Sequence, residues 1–315
     1  MNDSVDVLYP VRSCYYLGHY DMAIEAIGTL PKRNLSSEVV QQRDQLHILS
    51  LIGLGLYPDA VLMAKNGEPA LRVFAQFCNG DVSFDESVKE LASMGDGDIH
   101  DKKLTKYVLA SLYITPESND KMKALQHLTS DFNGLEHMSL KVKAYLSIDR
   151  ADLAMNEVSK MTRKDEDSPL TILSQALVSV ATSQTQVGGG GGGEDMLKDS
   201  KYNINMLCEQ YGPSPLLLNC RASCSMALGR YEDAVSDLKE AVSLSKSSSP
   251  GNEHGLPTLE STYCNLCAAL AHTNQSESIE LLKVVTDTYP NSDFVKNMQV
   301  VTGAFDRTNN MFSNS

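Results

Sequence analysis

The chain has 315 residues, a formal net charge of −13 and a sequence pI of about 5.0. Because it has no cluster of lysine and arginine, it lacks the basic surface that nucleic acids and anionic membranes require, and neither is expected as a partner. Hydrophobic residues make up 42% of the sequence, enough for a large core, but tryptophan is absent and aromatic residues are few. This composition favours closely packed helices over β-sheets.

The beginning of the sequence and its cysteines indicate a cellular compartment. The first ten residues carry two acidic side chains and no basic one, whereas a secretory signal begins with a basic segment. The seven cysteines are an odd number in a long chain, which favours reduced cytosolic thiols over a disulfide framework. The most apolar stretch, Leu46 to Leu56, is about half the ~20 residues that a membrane-spanning helix needs.

An internal sequence repeat predicts where the helix pairs begin and turn. The pattern Gly-x-Tyr-x-x-Ala occurs three times, beginning at Gly18, Gly55 and Gly229. In tetratricopeptide-type repeats of about 34 residues, this pattern marks the turn between two helices and the start of the second helix. The glycine permits a tight turn, the tyrosine packs into the next unit, and the alanine lets the two helices approach closely.

Weaker copies of the pattern fit between and after these three, and each keeps at least one small or aromatic residue at the expected offset. They are Val82/Phe84/Ser87, Asn119/Lys121/Ala124, Asp149/Ala151/Ala154, one near Asp195 to Ser200 and one near Asn274 to Ile279. The intervals scatter around the roughly 34 residues of a tetratricopeptide repeat. We therefore predict an all-α fold, a right-handed α-solenoid of tetratricopeptide-like helix pairs.

Residues 1–307 are predicted to form a single array with loop insertions at 188–193 and 246–257, followed by a disordered tail at 308–315. The first insertion is a run of six glycines. A phosphate-binding loop would be followed by Lys-Ser or Lys-Thr, but Glu194 and Asp195 follow here and would repel an anion. The second insertion is rich in serine, glycine and proline, which is typical of a linker.

No catalytic or metal-binding motif is evident in the sequence. The pairs Cys220/Cys224 and Cys264/Cys267 have helical spacing, and four thiolates on adjacent helices are able to hold zinc. Structural zinc usually sits on knuckle turns, however, and free cysteine also behaves as a small buried hydrophobe, so core packing is the preferred interpretation. The histidines form no tight cluster. We expect no enzymatic activity, no metal and no cofactor.

The concave side of the array is the predicted binding site. In a solenoid of helix pairs the first helix of each pair lines this side. Counting from the turns, the inward positions are Arg12, Tyr15, Tyr16, Gln45, Leu49, Arg72, Leu109, Tyr113, Lys143, Leu146, Asn219 and Met226. A mixture of tyrosine, methionine, arginine and apolar residues is typical of protein-binding surfaces. The alternative for any of these residues is packing against the neighbouring unit.

Three segments, in the same order along the chain, resemble the coatomer epsilon subunit family. They are Asp6 to Ala23, Leu146 to Ala181 and Pro213 to Ala241, and the likeness continues weakly to Phe305-Asp306-Arg307. The second segment carries Leu-x-x-Asp-Arg-x-Asp-Leu-Ala and Asp-Glu-Asp elements that are similar to the centre of that family. One segment alone would match many tetratricopeptide proteins, whereas the collinear set is much more specific.

The resemblance implies a non-enzymatic structural subunit of the COPI vesicle coat, within the heptameric coatomer, in Golgi-to-ER retrograde transport. It implies that the helical array curls around the C-terminal region of the alpha subunit and stabilises it. It also implies a cytoplasmic protein that is peripheral on Golgi membranes and COPI vesicles only through the complex.

An alternative from the residues themselves is a tetratricopeptide co-chaperone or adaptor that binds a peptide in its concave groove. Such a protein grips a C-terminal carboxylate with convergent lysine, asparagine and arginine side chains. Only Arg12 and Lys143 are candidates for this role, and they lie several units apart along the chain.

Overall fold

A computed structural model describes residues 6–31, 35–65, 67–94, 99–128, 133–185, 192–248 and 257–313. These ranges contain seventeen α-helices and no strand, so the predicted all-α class is confirmed. Every helix in the described ranges is too short or too polar to span a bilayer. The predicted right-handed sense of the solenoid and its single array over 1–307 stay predictions.

In chain order the helices are α1 (Tyr9–Tyr16), α2 (Tyr20–Thr29), α3 (Ser37–Gly53), α4 (Tyr57–Ala64), α5 (Pro69–Asn79), α6 (Phe84–Ser93), α7 (Ile99–Ile114), α8 (Met122–His127), α9 (Leu135–Leu146), α10 (Ala151–Lys164), α11 (Pro169–Thr185), α12 (Gly192–Tyr211), α13 (Pro215–Ala227), α14 (Tyr231–Ser248), α15 (Pro257–Thr273), α16 (Gln275–Thr288) and α17 (Asp293–Ser313). From α1 to α16, each helix packs against the next one along the chain. From α1 to α15, each odd-numbered helix also packs against the next odd-numbered helix. Stacked pairs of this kind form a solenoid whose first helices share one side.

The three glycines of the repeat pattern end the first helix of their pair in the left-handed conformation. Their φ angles are +78° at Gly18, +69° at Gly55 and +73° at Gly229. At Gly18, the amide of the next residue, His19, donates to the carbonyl of Cys14 at 2.9 Å. This bond satisfies a carbonyl at the end of the helix, and glycine adopts the required φ without the steric cost of a Cβ.

The other positions of the pattern also have their predicted roles. The tyrosines of the three full copies each begin the second helix of a pair: they are Tyr20, Tyr57 and Tyr231. The alanines are completely buried where the two helices meet: they are Ala23, Ala60 and Ala234. In the weaker copy at residue 149, Asp149 replaces the glycine and is the one described non-glycine residue with positive φ, +56°. The pattern therefore locates helix-pair turns even where the glycine is missing.

Side-chain hydrogen bonds cap the starts of several helices. Ser83 and Glu86 form a reciprocal capping box at the start of α6, and the Ser214 hydroxyl accepts from the Leu217 amide at 3.1 Å at the start of α13. These bonds satisfy amides that have no partner within the helix. Proline in the first turn of α13, at Pro215, costs no helical bond because its missing N–H would have been unpaired.

The ends of both predicted insertions need correction. Residues 192 and 193, predicted as part of the glycine loop, begin α12. Residues 246–248, predicted as linker, end α14, and Pro257, also predicted as linker, begins α15. The first turn of α12 is stabilised by ion pairs from Lys198 to Glu194 at 2.8 Å and to Asp195 at 3.8 Å, so the turn predicted near Asp195 is helical. The remaining residues of the two insertions, 188–191 and 249–256, lie outside the described residues.

The predicted disordered tail at 308–315 also differs from the structure, because α17 continues to Ser313. Residues 304–313 contain neither proline nor glycine. Extending an existing helix adds a hydrogen bond for each residue that is fixed, whereas starting a new one is costly. The Thr308 hydroxyl donates to the Ala304 carbonyl at 2.9 Å within this segment. The last two residues lie outside the described part of the chain.

The array curls until its first unit contacts its centre. Leu17, at the end of α1, is completely buried in a cluster with Leu173, Ile204 and Leu217 from α11, α12 and α13. The Ser214 hydroxyl donates to the Leu17 carbonyl, which joins residues 197 positions apart. The turn after α1 thereby closes against the turn before α13, and we call this contact the clasp.

Two further contacts define the clasp. His19 Nε2 lies 3.2 Å from the Gly212 carbonyl, and the ring nitrogen donates to that oxygen. A Cβ on Gly18 would lie 2.8 Å from the Cβ of Leu216, so the closeness of the two turns also requires glycine at this position. The closure gives the concave side of the solenoid a cavity that is partly open to solvent.

Candidate functional site

The cavity lies on the inner side of the curled array, between the first helices of its pairs. It has a volume of about 400 Å³ and is lined mainly from α1, α3, α7 and α9, with Leu170 of α11 and Leu216 of α13 completing the wall. Pockets of roughly 300–1,000 Å³ are typical of ligand sites. A cavity of this volume has room for a few amino-acid side chains, and the residues of its wall determine which chemical groups fit there.

Four tyrosines form the most distinctive part of the wall. Tyr15 and Tyr16 of α1, Tyr20 of α2 and Tyr107 of α7 all line the cavity. The ring centroids of Tyr15 lie 5.7 Å from Tyr16 and 5.8 Å from Tyr20, which are normal distances for aromatic packing. Burial raises the pKa of Tyr107 to about 12 and that of Tyr15 well above its ordinary value, so both hydroxyls stay protonated at neutral pH.

One tyrosine links the first unit to the fifth. The Tyr16 hydroxyl donates to Glu136 Oε1, and Glu136 lies in the first turn of α9, where a carboxylate is favoured by the helix dipole. Burial and the neighbouring carboxylate together raise the pKa of the Tyr16 hydroxyl. The bond spans 120 residues of sequence and ties the two sides of the cavity together.

The charged side chains of the wall are mostly paired with one another or with neighbours. Arg12 forms an ion pair with Asp6, and its Nη1 lies 3.4 Å from Gln42 Oε1. Glu38 accepts from Gln42 Nε2 at 3.3 Å. Lys143 of α9 is open to the cavity but enclosed by protein, and this desolvation lowers the pKa of its ammonium group.

Half of the twelve predicted groove residues line this one cavity, although they come from three different helix pairs. They are Arg12, Tyr15, Tyr16, Gln45, Leu49 and Lys143. The curl of the array brings Arg12 and Lys143, which are far apart in sequence, to the same space. Their role in binding a partner stays a prediction.

Two predicted residues of α7 lie in the hydrophobic core instead. Leu109 is 5% exposed and Tyr113 is 7% exposed. Tyr113 packs edge-on against Phe84 and stacks on His127, with both centroid distances at 5.6 Å. Tyr107 lines the cavity instead. The predicted residue Leu109 is two positions further along α7, which corresponds to a rotation of roughly 200° about the helix axis and therefore places it on the opposite face.

Arg72 and Leu146 also lie outside the cavity wall. The Arg72 guanidinium pairs with Glu90 at 2.8 Å, which joins α5 to α6. Leu146 is partly buried and packs against a cluster that includes Val142 and Val158 of α9 and α10. Both residues therefore hold neighbouring helices together rather than facing the hollow.

Asn219 and Met226 of α13 are occupied by the following units. Asn219 Nδ2 donates to Thr262 Oγ1 at 2.7 Å, and its Oδ1 accepts from Asn265 Nδ2 at 3.1 Å. Met226 packs against the cluster around Leu266. The predicted alternative, packing against the neighbouring unit, describes these two residues.

The count from the turn markers missed several wall residues. Tyr20, Tyr107, Glu136, His137 and Leu104 line the cavity. Tyr20 was assigned only to packing between units because it is the tyrosine of the repeat pattern. Glu136 and His137 lie in the first turn of α9, which the weak repeat copy at residue 149 does not locate. No local signal marks Tyr107.

Of the four cysteines weighed as zinc ligands, Cys224 and Cys267 are buried, Cys220 packs against the cluster of Cys224, and Cys264 is only partly buried. Cys224 is completely buried beside Leu217, and Cys267 Sγ contacts the Ser278 carbonyl at 3.5 Å. Burial raises the pKa of Cys224 to about 12 and that of Cys220 to about 11, which disfavours the thiolate that zinc requires. Within the described residues, no group of three potential metal ligands converges.

Comparisons with known proteins extend over almost the whole chain. The family described as "Coatomer epsilon subunit" matches residues 4–313. The chain is 26% identical over 274 residues to coatomer subunit epsilon of Dictyostelium discoideum, covering 84% of this chain and 86% of that protein. It is 26% identical over 311 residues to coatomer subunit epsilon-2 of Oryza sativa subsp. indica, covering 96% of each. The match to coatomer subunit epsilon-2 of Arabidopsis thaliana is 25% over 312 residues, covering 98% and 97%.

Proposed function

We propose that this chain, which belongs to the coatomer epsilon subunit family, binds the C-terminal region of the coatomer alpha subunit in its concave cavity. Members of this family are structural coat subunits and not enzymes, and the chain is accordingly a subunit of the COPI coatomer. The proposal concerns the finer points, namely which subunit is bound, by which surface, and in which transport step.

One observation carries the proposal: the clasp closes the array around a cavity whose wall combines four tyrosines with paired polar groups. Tyrosine is enriched where protein partners bind, because it offers a large apolar face and a hydroxyl with few rotatable bonds. Hydroxyls that stay protonated at neutral pH are available to donate hydrogen bonds to a partner's backbone. An enclosed segment of another protein is the occupant that this wall fits best.

The proposed location follows from the complex. As part of coatomer, the chain acts on vesicles that return cargo from the Golgi to the endoplasmic reticulum, peripheral on the membrane. Its net charge of −13 disfavours direct contact with anionic lipids, so we propose that its association with membranes depends on the other coat subunits.

The alternative, an adaptor that grips a C-terminal carboxylate, gains one point from the curl, because Arg12 and Lys143 line the same cavity. Such a clamp needs several convergent donors, and the Arg12 guanidinium is held by Asp6 and Gln42. A titration in which an acidic C-terminal peptide binds with micromolar affinity, and the alpha region binds more weakly than the peptide, would favour the adaptor.

A cavity-filling substitution tests the proposal. Gln41 of α3 lines the cavity, and Gln41→Trp places a large side chain in the hollow. We expect the affinity for the purified C-terminal region of the alpha subunit to fall at least about tenfold, because that volume is no longer open to the partner. The measurement is isothermal titration calorimetry on the full chain.

The matched control is Gln126→Trp, the same substitution at an exposed site on α8 outside the cavity. It is expected to bind like the wild type. If Gln41→Trp folds and binds the alpha region with wild-type affinity, the cavity is not the binding surface. If the wild-type chain does not bind the alpha region, the choice of partner is wrong.

A further inference from the structure

We propose that Lys143 is an anchor for the carboxylate of an aspartate or glutamate side chain in the segment that enters the cavity. This inference rests on the proposed function, since it assumes that a protein segment occupies the cavity. It adds a specific chemical requirement that the partner must meet: an acidic residue at the position that reaches Lys143.

Lys143 occupies the cavity face of α9. Its helix neighbours on that face are Leu140 and Ser139, three and four residues earlier, which also line the wall. The side chain of Lys143 is exposed and contributes to the cavity wall. A segment that enters the cavity therefore meets the ammonium group.

The other charged groups of the wall have protein partners. Arg12 is held by Asp6, Glu136 accepts from Tyr16, and Glu38 accepts from Gln42. Within the described part of the chain, the Lys143 ammonium takes part in neither a hydrogen bond nor an ion pair. Lys103, the third cation of the wall, also has an interaction within the protein. Lys143 is therefore the charge of the wall for which the described residues supply no partner.

The immediate surroundings of Lys143 do not neutralise it. The titratable neighbour that acts on its pKa is Cys220, and burial raises the pKa of this thiol to about 11, so the thiol is uncharged at neutral pH. Enclosure lowers the pKa of Lys143, as is usual for a cation withdrawn from water. A cation enclosed without a counterion is unfavourable, and a carboxylate brought by a partner relieves that cost.

The attraction for an anion comes from Lys143 itself. The described lining residues include three cations, Arg12, Lys103 and Lys143, and two carboxylates, Glu38 and Glu136. Asp6 pairs with Arg12 and adds a third carboxylate beside the wall, so the wall as a whole has no excess of positive charge. One negative group placed beside Lys143 supplies the partner that this ammonium group lacks.

A side-chain carboxylate fits this site better than other anions. Phosphate groups are usually bound by clusters of arginine or by several backbone amides, and a chain terminus by several convergent donors. Here Lys143 is flanked by Leu140 and the tyrosine wall, and one ammonium group is available. One carboxylate on a segment that is otherwise apolar or aromatic satisfies both the charge and the walls.

The test compares Lys143→Met with wild type and with Lys89→Met, a matched control at an exposed site on the outer helix α6. Affinity for the purified C-terminal region of the alpha subunit is measured by calorimetry on the full chain. We expect Lys143→Met to lower affinity at least about 30-fold, since removing one partner of an enclosed charge pair leaves the other unpaired. Lys89→Met is expected to bind like the wild type.

Thermal unfolding of the variants separates binding from folding. Lys143→Met removes an enclosed cation and keeps a side chain of similar length, so its midpoint is expected to be at least that of the wild type. A partner-side scan then changes each aspartate and glutamate of the alpha region to asparagine or glutamine. At the partner position that contacts Lys143, the substitution is expected to lower the affinity for the wild-type chain but not for Lys143→Met. A double-mutant cycle requires this result for two groups that interact directly.

The outcomes are distinct. Binding of Lys143→Met within about threefold of wild type, or equal losses in both backgrounds at every partner position, overturns the anchor and leaves the proposed function standing. Loss of binding on amidation of the partner's C-terminus, with no effect from any side chain, also overturns it, because the carboxylate would then be the chain terminus. If the wild type itself does not bind the alpha region, the proposed function fails and the anchor fails with it.

Discussion

At the scale of single residues, the glycines at the left-handed turns are constrained by backbone conformation rather than by packing. Gly229 has a φ of +73°, and no atom lies within 4 Å of the place where its Cβ would stand. A substitution there therefore meets a backbone penalty and not a steric clash with neighbours. Gly28, inside α2, has equally open surroundings but ordinary helical geometry.

We expect Gly229→Ala to lower the free energy of unfolding by about 1–2 kcal/mol, since an L-residue in the left-handed region costs this much. The matched variant Gly28→Ala is expected to raise it by about 0.4–1 kcal/mol, because alanine restricts the unfolded chain. Urea unfolding followed by circular dichroism measures both. Equal effects of the two substitutions would show that backbone conformation does not control stability at these turns.

Lys143 leads to a prediction about pH. Its pKa is lowered in the folded chain from the ordinary 10.5, so between these two values the unfolded chain binds a proton that the native chain does not. Stability from this residue therefore increases as the pH rises toward 10.5. Between about pH 7 and about pH 9.5, Lys143→Met is expected to show a smaller increase, or a larger decrease, in unfolding free energy than wild type.

The measurement is urea unfolding at several pH values, with Lys89→Met as the control that keeps the wild-type slope. Working below the ordinary pKa of tyrosine limits the contribution of the buried hydroxyls, whose raised pKa values change stability in the opposite direction. Identical slopes for Lys143→Met and wild type would mean that the ammonium is as well solvated in the cavity as in the unfolded chain.

At the scale of helices, starts depend on short local signals, and α6 is the clearest case. Ser83 accepts from the Glu86 amide at 3.4 Å, and Glu86 Oε2 accepts from the Ser83 amide at 3.0 Å. The Ser83 hydroxyl, which donates to Glu86 Oε2 at 2.7 Å, and then the Ser83 amide lower the pKa of the Glu86 carboxyl. The turn before the box contains Gly80 in the left-handed conformation, with a φ of +79°, so this glycine ends α5 and the capping box starts α6.

We expect Ser83→Ala to destabilise the chain by about 1 kcal/mol, because the cap amide loses its acceptor. Ser93→Ala, at the exposed end of the same helix, is expected to stay within about 0.5 kcal/mol of wild type. Denaturant unfolding of both variants measures the difference. Equal stability of the two would remove the capping box as the cause of the α6 start.

Helices also show where sequence reasoning fails. The positions of the pairs follow from the glycine, tyrosine and alanine of the repeat, but the rotation of α7 about its own axis does not. Leu109 and Tyr113 have the same residue types as cavity residues and are nevertheless buried in the core. Apolar residues occur all around α7, so its periodicity does not separate the face toward the cavity from the face toward α5 and α8.

At the scale of the whole molecule, the clasp determines whether there is a cavity at all. Leu17 buries its side chain among α11, α12 and α13, far away in sequence, rather than only within its own helix pair. Leu228 holds the equivalent position before Gly229 and is only partly buried. Substituting each of these two leucines therefore distinguishes the effect of the closure of the array from the effect of a leucine within its own turn.

We expect Leu17→Ala to destabilise the chain by about 2–5 kcal/mol, the usual range for a fully buried leucine. It should also speed hydrogen exchange at the amide of Leu217, whose acceptor Ser214 takes part in the clasp. Leu228→Ala should leave exchange at Leu217 unchanged. If Leu17→Ala does not alter exchange there, the first unit and the centre of the array are not coupled.

The sequence by itself determined the helix-pair repeat, its turns at Gly18, Gly55 and Gly229, the all-α class and the family. These features depend on local backbone geometry and on packing between neighbouring units, which short patterns record. The tertiary structure alone decided the clasp, the register of α7 and the meeting of Arg12 with Lys143 in one cavity. The closure of the array is the sum of small rotations over many helix pairs. It depends on contacts between residues far apart in sequence, such as the hydrogen bond between Ser214 and Leu17, which are 197 positions apart. No short sequence pattern contains this information.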